Sequence, residues 1–186
     1  MNAPIVTPAH ESIAAFYDEP CYRYFHWDPS PVPFDVAQIF DAFKYLSSII
    51  ERQGPFDGVI GFSQGSVMSI ALMRQYAKQH PDAPPDALFR FAILFSSPHL
   101  NTTDKNGEPL IPGKVQIPSL HICGRNDTEW FQSSQRVFAE SFEEGTATMI
   151  VHNGAHVVPK DPPTVQKIID AIEDIVNISD ANRDFD

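Results

Sequence analysis

The sequence predicts an α/β protein: a mostly parallel sheet with helices on both faces. Three observations carry this reading. Short apolar runs of strand character recur along the chain, namely VIGF (59–62), FRFAILFSS (89–97), PSLHICG (118–124) and TATMIVH (146–152). Around them lie stretches whose apolar residues fall at three- and four-residue steps, the spacing of one helix face. Clusters of Gly, Pro, Asn and Asp punctuate the boundaries.

Residues 1–34 are rich in aromatics and prolines and lack clear periodicity, so they read as loop, with 1–11 expected to fray. From Asp35 the pattern turns helical. Val36, Ile39, Phe40, Phe43, Leu46, Ile49 and Ile50 share a face, with Asp35 as N-cap, Gln38 at the capping-box position and Gly54 past the end. VIGF follows as a buried strand, then SVMSIALMRQYAKQ (66–79) as a helix stopped by Pro81 and PDAPPDA. The next two strands flank the longest loop, NTTDKNGEPLIPGK (101–114). WFQSSQRVFAESF (130–142) is helical in spacing, and TATMIVH is the last strand. After an Asp-Pro-Pro start, Val165, Ile168, Ile169, Ile172, Ile175 and Val176 line a closing helix, and 178–186 is expected to fray.

A chain of 186 residues, 42% hydrophobic with 14 phenylalanines, can bury a sizeable core, and a single domain over 1–186 is the natural expectation. Thirteen basic against 24 acidic side chains give a net charge of −11. That charge repels phosphate backbones and anionic lipid, so neither nucleic acid nor a membrane is an expected partner. No apolar run approaches the roughly 20 residues that cross a bilayer. The start, MNAPIVTPAHES, lacks the basic and apolar regions of a signal peptide, so the cytoplasm is the expected location. Cys21 and Cys123 read as free thiols.

Gly61-Phe62-Ser63-Gln64-Gly65 matches G-x-S-x-G. Five residues alone are a weak signal. Here a strand precedes the serine and a helix follows it, the context a nucleophile elbow requires, and the glycines are expected to clear space beside a strained serine. The backbone N–H of Gln64, at the helix start, is the expected oxyanion donor. The bland alternative is a serine in an ordinary Gly-bounded turn.

A serine hydroxyl needs a histidine to take its proton and a carboxylate to orient that histidine. Asp127, in CGRNDTEW, and His156, in HNGAHVVP, each follow a strand, and the order Ser63, Asp127, His156 is that of the α/β-hydrolases. Asp127 could instead cap the helix that begins near Glu129. His152 is a rival base, four residues before His156. His121, inside an apolar strand, reads as a core histidine, and His10, His26, His80 and His99 show no constellation. The spacing of His152 and His156 would suit a metal on a helix, but a Gly-containing loop is the wrong scaffold, so no metal is expected.

Together GPFDGVIGFSQGS, IPSLHICGRNDTEW and HNGAHVVP resemble the FSH-type serine hydrolases, a family common in fungi and related to a human ovarian-cancer-associated hydrolase. The resemblance takes in AFYDEPCYRYFHWDPSPVPFDVAQIFDAFKYLSSIIERQ and is nearly continuous from about residue 12 to about residue 177. It implies an α/β-hydrolase-like fold, with Ser63 as nucleophile, Asp127 as acid and His156 as base. It also implies esterase or thioesterase chemistry without a cofactor, in some members the release of a polyketide acyl chain from a carrier domain in secondary metabolism.

One departure stands out. The family normally opens with a strand, a Leu-His-Gly-type loop, a helix and a further strand, none of which appears before the aromatic segment here. The chain therefore reads as N-terminally truncated, through a late start, a split protein or a degenerate member. VIGF would then be an exposed edge suited to pairing with a second copy. Loss of one oxyanion donor lowers a rate by roughly a hundred- to a thousandfold. The leading expectation is a serine hydrolase acting on a small acyl ester or a thioester, carrier-bound thioesters included. The second is a catalytically impaired binding or complementing subunit, and the third a lyase or isomerase using the same pocket. Phe62, Tyr24 and Trp130, with Phe16, Tyr17, Tyr22 and Trp27, are candidates to line an acyl pocket or simply to cover the core.

Overall fold

A computed structural model describes residues 2–9, 14, 18, 20–26, 36–99, 111–128 and 130–183. Two compact units emerge, residues 1–55 and 56–186.

In the first unit, strands β1 (Ile5–Thr7) and β2 (Cys21–Arg23) pair antiparallel, Thr7 opposite Cys21, and helix α1 spans Val36–Gln53. Both strands lie where the sequence reads as loop or frayed end. Three residues are too few for a period to show, and their order comes from each other. On α1, Ile39, Ala42, Phe43, Leu46 and Ile49 are buried at the expected spacing, whereas Phe40 is exposed. The Gln38 Oε1 accepts the backbone N–H of His26 at 2.8 Å. Asp35 lies outside the described residues.

The second unit runs β3 (Gly58–Phe62), α2 (Gln64–Gln79), β4 (Phe91–Phe95), β5 (Ser119–Gly124), α3 (Phe131–Ser141), β6 (Ala147–His152) and α4 (Pro162–Arg183). The strands form one parallel sheet in the order β3-β4-β5-β6. Alternation along the central strands assigns the faces. Ile93, Phe95, Leu120 and Ile122 form a core with Ile168 and Ile175 of α4. Between them on β5, His121 turns to the opposite face, where its ring meets Phe138 of α3 and Phe142. Helices therefore cover both faces. Ile169, which the periodicity places on the buried stripe of α4, is exposed.

Helix α4 continues through Arg183, and Ser179 is buried, so the described part of 178–186 is helical rather than frayed. Near that end the Arg90 guanidinium pairs with Asp180 as well as with Asp57. Residues 100–110 of the long loop region lie outside the described residues, while Ile111 and Val115 are buried. Among the described residues β3 is an outer strand of this sheet, and its Ile60 is 71% exposed. Both cysteines are free.

His121 is a core histidine, 3% exposed, with Nε2 3.3 Å from Ser119 Oγ. Burial pushes its pKa down to about 4. Between that value and the ordinary 6.5 the unfolded chain binds a proton that the folded one refuses, so stability falls as pH drops through this window. The full effect is about 3 kcal/mol. Urea unfolding of wild type and His121→Gln is expected to show the wild type losing more stability between pH about 7.5 and about 4.5. Equal losses would contradict the assignment.

Candidate active site

Ser63 links β3 to α2 with φ 53° and ψ −119°, in the positive-φ region where a side chain is strained by about 1–3 kcal/mol. Two sets of bonds hold it there. Its N–H donates to the Phe95 carbonyl at 2.9 Å, and its own carbonyl accepts from Ser66 N at 3.0 Å and Val67 N at 3.3 Å. Ser66 Oγ, fully buried, donates to the same Phe95 carbonyl at 3.0 Å, locking helix start to strand end. Only one flanking glycine is sterically required. A Cβ on Gly61 would lie 2.6 Å from both N and Cα of Ser66, whereas one on Gly65 would enter open space. The expectation that both glycines relieve crowding is thus corrected for Gly65. Gln64 is the first residue of α2, at the helix end where the dipole favours negative charge.

Asp127 follows β5, buried at 4% exposure, and its carboxylate engages two partners. Its Oδ1 accepts the Trp130 N–H at 3.3 Å at the head of α3, while Oδ2 accepts the Nδ1–H of His156 at 2.6 Å. Each carboxylate oxygen has one task. The dyad is buried on both sides, with the two side chains each 4% exposed.

His156 must travel to reach the serine's neighbourhood. β6 lies three strands from β3, about 14 Å at ordinary inter-strand spacing. The loop after β6 turns back over the end of β5, and the His156 ring stands 5.1 Å from that of Phe62, the residue before Ser63. Hydrogen bonds fasten this loop to the one bearing Asp127. Arg125 N donates to His152 O at 2.7 Å, Asn126 N to Gly154 O at 3.0 Å, and Asn126 Nδ2 to Asn153 O at 2.5 Å. Gly124 is what allows the crossing, since a Cβ there would collide with the carbonyl oxygens of Gly154 and Ala155. Sequence reasoning named neither Gly124 nor Asn126. The available signal was a glycine ending a strand, followed by Arg-Asn-Asp.

The structure thus brings Asp127, His156 and Phe62 together, with Ser63 next to Phe62. Among the described residues Ser63 Oγ makes no hydrogen bond, so the serine–imidazole link is not closed in this conformation. Trp130 is half-buried beside the acid. Tyr24 belongs to the first unit, where burial and then the neighbouring Tyr45 raise its phenol pKa, and Tyr22 is exposed. Phe16, Tyr17 and Trp27 lie outside the described residues. His152 does not pair with the carboxylate; its Nδ1 accepts the Gly154 N–H at 3.0 Å. Among the described residues no group of three or more His, Cys, Asp or Glu could hold a metal ion, and no helix is long and apolar enough to cross a membrane.

The chain is similar to known proteins. A family model described as Serine hydrolase (FSH1) matches residues 1–168. Hydrolase phiM of Talaromyces stipitatus is 29% identical over 181 residues, spanning 91% of this chain and 68% of that protein. Family of serine hydrolases 3 of Saccharomyces cerevisiae is 34% identical over 151 residues, 80% of this chain and 56% of its own length. The chain therefore spans about a half to two thirds of the length of these relatives. Among solved structures, mouse alpha/beta hydrolase domain-containing protein 10 has a TM-score of 0.52 at 17% identity, over 75% of this chain and 69% of that one, a likeness of fold.

Proposed function

The chain belongs to the FSH1 serine hydrolase family and has an α/β-hydrolase fold, and from that premise we propose that it cleaves a carboxylic ester or thioester through an acyl-enzyme on Ser63. The observation that carries the reading is the buried 2.6 Å pair of Asp127 and His156, delivered beside the strained serine's strand. With Nδ1–H given to the carboxylate, His156 keeps Nε2 for the serine proton.

In the proposed reaction Ser63 Oγ attacks the acyl carbonyl carbon as Nε2 takes its proton, and the carbonyl oxygen becomes an oxyanion at the start of α2, where Gln64 N–H is its donor. Collapse breaks the bond to the alcohol or thiol, which leaves with the proton from His156. Water, deprotonated by the same nitrogen, then attacks the acyl-enzyme and restores the serine. A rotation of the Ser63 side chain toward His156 on substrate binding closes the missing hydrogen bond. Phe62 and Trp130 are assigned to the acyl side. The apolar character of these contacts suits an acyl chain, and a carrier-bound thioester is the finer substrate assignment.

A fluorophosphonate probe tests the proposal. One equivalent of mass gain, mapped to the peptide containing Ser63, is expected, with turnover in a panel of short and long acyl esters and thioesters. A well-folded protein that stays unlabelled would overturn it. That outcome favours the second reading, a non-catalytic protein engaging a partner strand, a second copy included, along β3, where Ile60 is exposed.

A further inference from the structure

His152 ends β6 opposite Gly124 and is buried at 5% exposure, yet the mechanism above makes no use of it. Its backbone carbonyl anchors Arg125 N, and its ring lies under the turn leading to His156. The contact is tight. A Cβ on Gly154 would fall 2.8 Å from Nδ1 and 2.9 Å from Cε1, so the ring and the turn leave no slack.

The hydrogen bond fixes the tautomer. Because Nδ1 accepts the Gly154 N–H at 3.0 Å, the neutral ring carries its proton on Nε2, which is buried without a hydrogen-bond partner among the described residues. A second proton would sit on Nδ1, facing a donor, and would break the bond. The ring can therefore do this work only when neutral, and cannot serve as the base. We infer that His152 is a positioning residue: its unprotonated Nδ1 holds the Gly154 N–H and so fixes the turn that presents His156 to Asp127.

This role rests on the hydrolytic reading of Ser63, Asp127 and His156. Burial lowers the His152 pKa, outweighing the carboxylates of Asp161, ahead of α4, and Asp127, in the β5–α3 loop, both of which raise it. The accepting form thus prevails at neutral pH.

Asparagine provides the discriminating variant, since its Oδ1 stands at the same bond separation from Cβ as Nδ1 and can accept the same N–H. His152→Asn is expected to label with fluorophosphonate within about threefold of wild type, and His152→Leu about ten- to a hundredfold more slowly. The hydrogen-bonded Nδ1–H proton of His156, strongly downfield in NMR spectra, is expected to persist in the Asn variant and to vanish by exchange in the Leu variant. In wild type, long-range nitrogen correlations should show His152 protonated at Nε2, a result that needs no variant to fold. The opposite tautomer, equal loss in both variants, or no loss in His152→Leu would overturn the inference. If wild type fails to label while the two resonances behave as described, the hydrolytic reading fails alone.

Discussion

Asp127→Asn is expected to keep its fold and to lose about four orders of magnitude in the rate of Ser63 acylation. The asymmetry of the two oxygens makes the experiment clean. Oδ1 accepts the Trp130 N–H in the turn that leads into α3, and the asparagine carbonyl can retain that bond. Where Oδ2 accepted from His156 Nδ1–H, the variant instead offers an amide donor. The imidazole must then turn its lone pair to Nδ1 and its proton to Nε2, which leaves it unable to take a proton from serine. No carboxylate remains to stabilise an imidazolium. Labelling kinetics measure the rate, and circular dichroism melts verify that the fold holds. A loss below tenfold, with the fold intact, would show that the pair is structural and not a proton-handling device.

Gly124→Ala is expected to cost about 3 kcal/mol or more of stability, at the upper end for overpacking, and more than a hundredfold in acylation rate. The new methyl meets the carbonyl oxygens of Gly154 and Ala155, which are main-chain atoms and cannot swing aside as the end of a long side chain can. Relief requires the loop after β6 to lift. Lifting it breaks the bonds from Arg125 N and Asn126 to 152–154 and carries His156 away from Asp127. Urea unfolding and labelling together test this, with Gly65→Ala as the stability control. A methyl there enters open space on a helix, where alanine is favoured by up to about 1 kcal/mol. If Gly124→Ala were as benign as Gly65→Ala, the close crossing of the two loops would be refuted.

The second unit was legible in the sequence because its signals are local. Each apolar run of β3 to β6 is bounded by turn residues, and a strand–serine–helix succession is visible in thirteen letters. Parallel pairing followed from alternation with helices. Distances between loops had no such signature. Nothing in HNGAHVVP says that the chain turns back over the end of β5, or that Gly124 is the gap it crosses, because the constraint lies between residues about thirty apart. Arg90 and Asp180, which hold the end of α4, are ninety apart. The short strands β1 and β2 escaped notice for the opposite reason, being too brief for any period to register. Asp127 is instructive in another way. Capping and orienting a histidine read as alternatives in the sequence, yet a carboxylate has two oxygens, and here one accepts the Trp130 N–H while the other meets His156.

Asp127 and His156 follow consecutive strands whose outgoing loops are stitched together, whereas Ser63 comes from the far side of β4. The buried pair is thereby a self-contained cassette of some thirty residues, Gly124 to His156. Substitutions in β3 or α2 therefore touch none of the hydrogen bonds that hold the pair and its two loops together.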